Sequence, residues 1–256
     1  MVDFQHPSHI LEVRRIQDEA KLIAKKVRKD SSEVVILKRL QANQSKSDHI
    51  ITLIDSFSVS SVSWLILPKL RNIKTVHAPL IKVAQICWGL INGLAYLHKT
   101  LITHRDIKPD NLLLDGTYCV KIIDFDLALQ LIREDEEVDD YCGTERWMAP
   151  EVEDEENVST YSPIKADRWA CGKVIAHFLD IFAKKDDVLS GIATKLKADN
   201  PQERPSLLDL CQDKPPLENI KQGRPRSESD SEHNGSSRNA KRPKVKQDDM
   251  LSAKVS

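Results

Sequence analysis

The sequence predicts an α+β fold in two unequal parts, a small sheet-rich part with one helix followed by a mainly helical part. Three observations carry this. Between residues 10 and 67 the apolar residues fall in short runs of strand length separated by polar turns. From Pro79 onward they recur instead at helix spacing over about five turns. With 256 residues and 40% hydrophobic content, the chain is long and apolar enough to bury a core.

Taken in order, Ile10 to Ile16 and Lys21 to Val27 read as two strands joined by the polar turn Gln17-Asp18-Glu19. Ser31 or Ser32 can cap a short helix whose apolar positions Val34, Leu37 and Leu40 recur every third residue. Ile50 to Ile54 and Ser63 to Leu67 read as two further strands, the second stopped by Pro68, which cannot continue a central ladder. The long helix then carries Ile81, Ala84, Ile86, Cys87, Leu90, Ile91, Leu94 and Leu97 on one stripe. Beyond it, Asn111 to Leu114 and Tyr118 to Ile123 form strands around an Asp115-Gly116 turn.

Those two strands flank the chemistry. His104-Arg105-Asp106-Ile107-Lys108-Pro109-Asp110-Asn111, followed by Asp124-Phe125-Asp126, sets a candidate base, a lysine and two oxygen ligands for magnesium within 21 residues. Phosphoryl transfer from ATP requires that set, because its catalysis is positioning and charge neutralisation around a phosphate.

The rest of the composition narrows the class. Five scattered cysteines, none in a CxxC pair, predict reduced thiols rather than a disulfide framework or a zinc site. No apolar run approaches the roughly 20 residues of a membrane span, and residues 1 to 9 lack a secretory signal, so the expectation is a soluble intracellular protein with no membrane partner. A net charge of -1 predicts no global attraction to nucleic acid. From Pro215 the composition turns to Pro, Ser, Asn and charged residues, predicting a disordered tail over 215–256 with nine Lys/Arg against six Asp/Glu. Within it, Lys241 to Lys246 is a basic cluster of the kind nuclear import receptors read, with Arg224-Pro225-Arg226 upstream, which predicts a nuclear or nucleocytoplasmic protein. Gly223-Arg224-Pro225 is similar to the core of an AT-hook, but three residues do not make nucleic acid an expected partner. Ser227 and Ser229, each followed by an acid three positions on, suit an acidophilic kinase.

The motifs occur in the order found in eukaryotic-type protein kinases, which the chain resembles from about Ile10 to Leu210: Ala24-Lys25-Lys26, Glu33, His104-Arg105-Asp106, Asn111, Asp124-Phe125-Asp126, Ala149-Pro150-Glu151, Asp167 to Gly172, and Arg204. The resemblance implies a two-lobe protein-kinase-like fold: a reduced N-terminal sheet lobe to about residue 67, a hinge at 68–70, and a mainly helical C-terminal lobe to 214. It implies transfer of the γ-phosphate of ATP, with Mg2+, to protein substrates. Asp106 becomes the base and Lys108 the group that neutralises the transferring phosphate, with Asn111 and Asp124 holding the metal. Lys26 would pair with Glu33 and hold the other phosphates, with Lys25 as the adjacent alternative on the opposite face of the strand. Ala24 would cover the adenine and Leu113 lie beneath it, with Leu67 at the back and Pro68 to Leu70 as hinge. Glu151 and Arg204 resemble the family's buried ion pair, and Asp167 and Trp169 its scaffold helix. Lys108 and Thr144 resemble Ser/Thr-directed members.

Three departures qualify the resemblance. No glycine precedes Gly89, so the family's glycine-rich loop over the phosphates cannot form in its usual way, which raises a non-catalytic scaffold as the alternative function. Asp126 stands where the family has glycine. Glu134 to Asp140 places six acids in seven positions. These acids are positioned to meet Arg105 in place of a phosphate, and to favour basic substrate peptides together with Glu153 to Glu156.

Overall fold

The computed structural model describes residues 9–73, 80–153 and 160–213. The expectations attached to residues 1 to 8, Pro79, the side chain of Ile81, Asp154 to Glu156 and the tail over 215–256 lie outside these residues.

The N-terminal part is a four-stranded antiparallel sheet, β1 (Ile10–Arg14), β2 (Lys21–Arg28), β3 (Asp55–Val59) and β4 (Val62–Pro68), in the order β1-β2-β4-β3. Helix α1 (Ser32–Ala42) follows β2 and buries Val34, Ile36, Leu37 and Leu40, the face its apolar spacing specifies. Ser31 occupies the N-cap position with extended backbone, yet its side chain makes no capping bond.

Several boundaries differ from the sequence reading for local reasons. β1 ends at Arg14 rather than Ile16, because Arg15 closes the turn by accepting from Glu19 N and donating to Ala20 O. Ile50 to Ile54 is not a strand. It pairs through an isolated bridge, with Ile51 N donating to Ile122 O and Ile122 N to His49 O, while Ile50, Ile51 and Leu53 are buried in the core and Thr52 is exposed. The strand beside β4 is the polar Asp55–Val59 at the sheet edge, where weak alternation hid it. The Tyr118 to Ile123 strand contracts to Val120–Ile122, since Tyr118 adopts φ 65°, a left-handed conformation outside β geometry.

Beyond β4 the chain passes through Lys69 and Leu70 into β5 (Arg71–Asn72), which belongs to a second sheet with β7 (Leu112–Leu114) and β8 (Val120–Ile122) in the order β5-β7-β8. The 68–70 connection therefore joins the two sheets. Helix α2 (Leu80–Lys99) forms the spine of the second part, with Leu90, Ile91, Leu94 and Leu97 fully buried. Strands β6 (Ile102–Thr103) and β9 (Leu129–Gln130) pair across the loops that carry the chemistry. Helices α3 (Pro150–Glu153), α4 (Pro163–Ile181), α5 (Asp187–Leu196) and α6 (Leu207–Gln212) complete it. α4 packs on α5 and α2 through Cys171, Val174 and Ile175, and Asp186 caps α5 by accepting from Leu189 N. None of the five cysteines is in a disulfide. Among the described residues, no helix is long and apolar enough to cross a membrane.

Candidate active site

The loop after β6 is held by Asp167 from within α4. This side chain is buried and accepts from the backbone N–H of His104 at 2.7 Å and of Arg105 at 2.8 Å, with His98 Nε2 at 3.2 Å. Arg105 needs that clamp, because its φ of 65° is unfavourable for a residue bearing a Cβ. His104 supports the loop from the other side. Its Nδ1 accepts from Asp106 N at 3.3 Å, so Nε2 carries the proton donated to Ile123 O at 2.9 Å, and its ring lies 5.0 Å from that of the fully buried Phe125.

Asp106 emerges from this frame with both oxygens engaged. Oδ1 accepts from Thr144 Oγ1 at 2.7 Å, while Oδ2 accepts from Lys108 Nζ at 2.7 Å and Asn111 Nδ2 at 2.9 Å. Every partner is a donor, which suits the ionised carboxylate. Lys108 Nζ also donates to Thr144 Oγ1 at 2.6 Å, so Asp106, Lys108, Asn111 and Thr144 form one network. Gly143, at φ 130°, lets the chain deliver Thr144, and a Cβ there would come within 2.6 Å of Met148 Cγ. Because Asn111 commits its amide nitrogen to Asp106, its amide oxygen remains as an acceptor.

On the sheet side, the pairing expected of Lys26 is made by Lys25. Its Nζ lies 2.6 Å from Glu33 Oε2, an ion-pair distance without the alignment of a hydrogen bond, and donates to Asp124 Oδ1 at 2.6 Å. Asp126 Oδ2 stands 3.6 Å away. The reason for the correction is strand parity. Side chains alternate faces, so a shift of one residue exchanges the whole set. Lys25 shares its face with Ile23 and Val27 and, across the ladder, with Leu65 and Leu67. Lys26 and Ala24 lie on the other face, so Ile23 takes the position expected of Ala24. Alternation alone does not separate the two lysines, because Lys26 alternates with Leu22 and Ala24 as Lys25 does with Ile23 and Val27; it is the packing of Ile23 and Val27 toward the main core that marks the face of Lys25. Leu67 is buried on the Lys25 face, Leu113 is half-buried on the side of β7 away from Leu112 and Leu114, and Pro68 and Leu70 sit on the connection between the sheets.

Electrostatically this end of the site is over-supplied with acid. Burial, reinforced by Asp126 and Asp124, pushes the Glu33 carboxyl up to about 7 against the pull of Lys25. Burial opposes the charge on Lys25, but Glu33 and Asp124 overcome it and raise the ammonium to about 12. The carboxylate oxygens of Glu33, Asp124 and Asp126 lie within 4.8 Å of one another around that single ammonium. Such hard oxygen donors with surplus negative charge suit a hard divalent cation such as magnesium.

The acidic run is anchored at both ends. Asp140 meets Arg105 as an ion pair, and Tyr161 joins them, accepting from Arg105 at 3.3 Å and donating to Asp140 O at 3.0 Å. Burial raises the Tyr161 hydroxyl to about 12. The same Tyr161 forms a backbone bridge with Val138. At the other end Glu134 lies 3.4 Å from Arg168. Arg204 donates to Glu151 at 2.5 and 2.8 Å from its two terminal nitrogens, as the resemblance implied.

Comparison with known proteins agrees with this geometry. The family model described as "Protein kinase domain" matches residues 8–190. The chain is 34% identical over 137 residues to the phosphorylase b kinase gamma catalytic chain, liver/testis isoform, of Bos taurus and of Homo sapiens, covering 50% of this chain and 33% of theirs. It is 30% identical over 146 residues to serine/threonine-protein kinase PAK 1 of Mus musculus, covering 55% of this chain and 26% of that one. The matched part thus spans about a third or less of these relatives' own length. With the family's motifs assembled on a reduced two-lobe fold and a family match extending over most of its residues, the chain belongs to the protein kinase family.

Proposed function

We propose that the chain transfers the γ-phosphate of ATP to a serine or threonine hydroxyl of a protein substrate, with Mg2+. The observation that carries this reading is the Asp106 carboxylate held by Lys108, Asn111 and Thr144 in an all-donor network. Asp106 accepts the proton of the substrate hydroxyl and orients its oxygen, and Lys108 neutralises charge on the phosphate in flight. Asn111 and Asp124 hold the metal, which when bound neutralises phosphate charge. Lys25, kept in place by Glu33, holds the remaining phosphates, with Ile23, Leu67 and Leu113 around the base and 68–70 as hinge. Ser/Thr specificity rests on Lys108 and Thr144 and on the similarity to serine/threonine-protein kinase PAK 1. The test is transfer of labelled phosphate to a generic basic protein by wild type and Asp106→Asn. Equal signal from both would favour the alternative, a nucleotide- or protein-binding scaffold, which the absence of glycine before Gly89 supports.

Two further outcomes follow from this reading. Lys25→Met should lower transfer by about 100-fold while Lys26→Met leaves it within about threefold. The reverse order in a steady-state assay would contradict the assignment by strand face. The Asp140–Arg105 pair supports activity without phosphorylation of the activation segment. Phosphatase-treated protein should retain its rate, and Asp140→Asn should lose roughly tenfold, the scale of one charge-assisted bond. A phosphate-free preparation that stays inert until an upstream kinase acts would overturn this.

A further inference from the structure

The first turn of α4 and the start of the acidic run border an open surface pocket of about 280 Å³, which shares no residue with the Asp106 network and is lined by Ser162, Ile164, Lys165, Arg168, Glu134 and Asp135. Its basic wall is incompletely satisfied. Arg168 is more than nine-tenths buried, yet among the described residues its Nε has no hydrogen-bond partner. One terminal nitrogen reaches Arg204 O at 3.3 Å and the other only Glu134, singly and at 3.4 Å, well beyond the 2.7–2.9 Å of a good charge-assisted bond. Glu134 is itself largely exposed, so its hold on the guanidinium competes with water. A buried guanidinium with this company is poorly compensated.

Two independent features point the same way. Ser162 is at the N-cap of the 19-residue α4, but its hydroxyl makes no capping bond, is buried, and has no partner among the described residues. The first turn of α4 also carries no acid, so the positive end of the helix dipole is uncompensated there. Lys165, whose ammonium donates to Gln202 Oε1, adds a second cation to the lining, and Asp135 is paired with Arg133 at 3.0 Å. Guanidinium, ammonium, hydroxyl and helix N-terminus together match a tetrahedral, multiply charged oxyanion better than a single carboxylate.

We propose that this pocket is a binding site for a phosphate group, taken by Arg168, Lys165, Ser162 and the N-terminus of α4, with Glu134 as its internal competitor. Occupancy displaces Glu134 and frees the near end of the acidic run while Asp140 still holds the far end at Arg105. The site lies outside the network that carries the proposed transfer reaction, so it stands or falls separately from that reading.

The test is calorimetric titration of the full chain with inorganic phosphate and, in a second arm, with a peptide of residues 222–233 phosphorylated at Ser227 and Ser229. Wild type should bind, Arg168→Met should bind at least about tenfold more weakly, and Lys25→Met should be unchanged, which separates this site from the catalytic one. Glu134→Gln, an exposed change that does not threaten folding, should tighten binding about three- to tenfold by removing the competitor. Peptide binding tighter than phosphate identifies a phosphorylated segment as the ligand, and equal binding identifies the free anion; either supports the site. Absence of binding in wild type, equal binding in Arg168→Met, or weaker binding in Glu134→Gln overturns it.

Discussion

Replacing Asp106 by asparagine is expected to lower phosphate transfer by about 1,000-fold, within the usual range for loss of a positioned general base. The change is nearly isosteric, so its effect is chemical. An amide has no second anionic oxygen, and its NH2 group must face Thr144 on one side or Lys108 and Asn111 on the other. Lys108 and Asn111 approach the carboxylate as donors, so that orientation sets donor against donor. Thermal stability should change little, because Asp167 and His104 hold the loop by backbone and ring contacts that do not involve the Asp106 carboxylate. A rate loss below about tenfold, measured with protein purified free of other kinases, would contradict the role given to Asp106.

Replacing Glu151 or Arg204 should do the opposite, damaging the fold more than the chemistry. The Arg204 side chain is fully buried, paired at both terminal nitrogens with Glu151, and it donates also to Ala198 O at 2.9 Å and Lys165 O at 3.1 Å. Glu151→Ala removes the counter-charge and leaves a buried guanidinium, which costs about 3–5 kcal/mol. For a domain of this size that lowers Tm by roughly 6–20 °C. Scanning calorimetry of the metal-free chain measures it directly. A fall under about 2 °C would show that Arg204's carbonyl partners suffice without the carboxylate. A double change to two apolar residues of similar volume should recover part of the loss, since the penalty arises from one unpaired charge.

The helices and the central motifs were legible because their signals are local. α2 shows its stripe over 20 residues, and the tract from His104 to Asn111 with Asp124 marks the family by residue type and order. What misled was each choice that depends on a neighbour. Ile50 to Ile54 has the composition of a strand, but its backbone meets one residue of β8 and Ile50, Ile51 and Leu53 fill the core. Asp55–Val59 has the composition of a loop, but pairs with β4 along its whole length. Lys25 and Lys26 are the same residue type one position apart, and only the faces turned toward Glu33 and Asp124 distinguish them.

By itself, the sequence determined the two-part α+β architecture and the family, and it singled out Asp106, Lys108, Asn111 and Asp124, the residues for which the catalytic and metal-holding roles are proposed. Those follow from periodicity and from the order of short motifs along the chain, each a property of neighbouring residues. The tertiary structure alone decided that Lys25 and not Lys26 enters the site, that Asp140 out of six acids meets Arg105, and that Arg168 is buried beside an uncapped helix end. Each of these depends on a contact between segments distant in sequence, where one residue of register or one turn of helix reverses which side chain faces which charge.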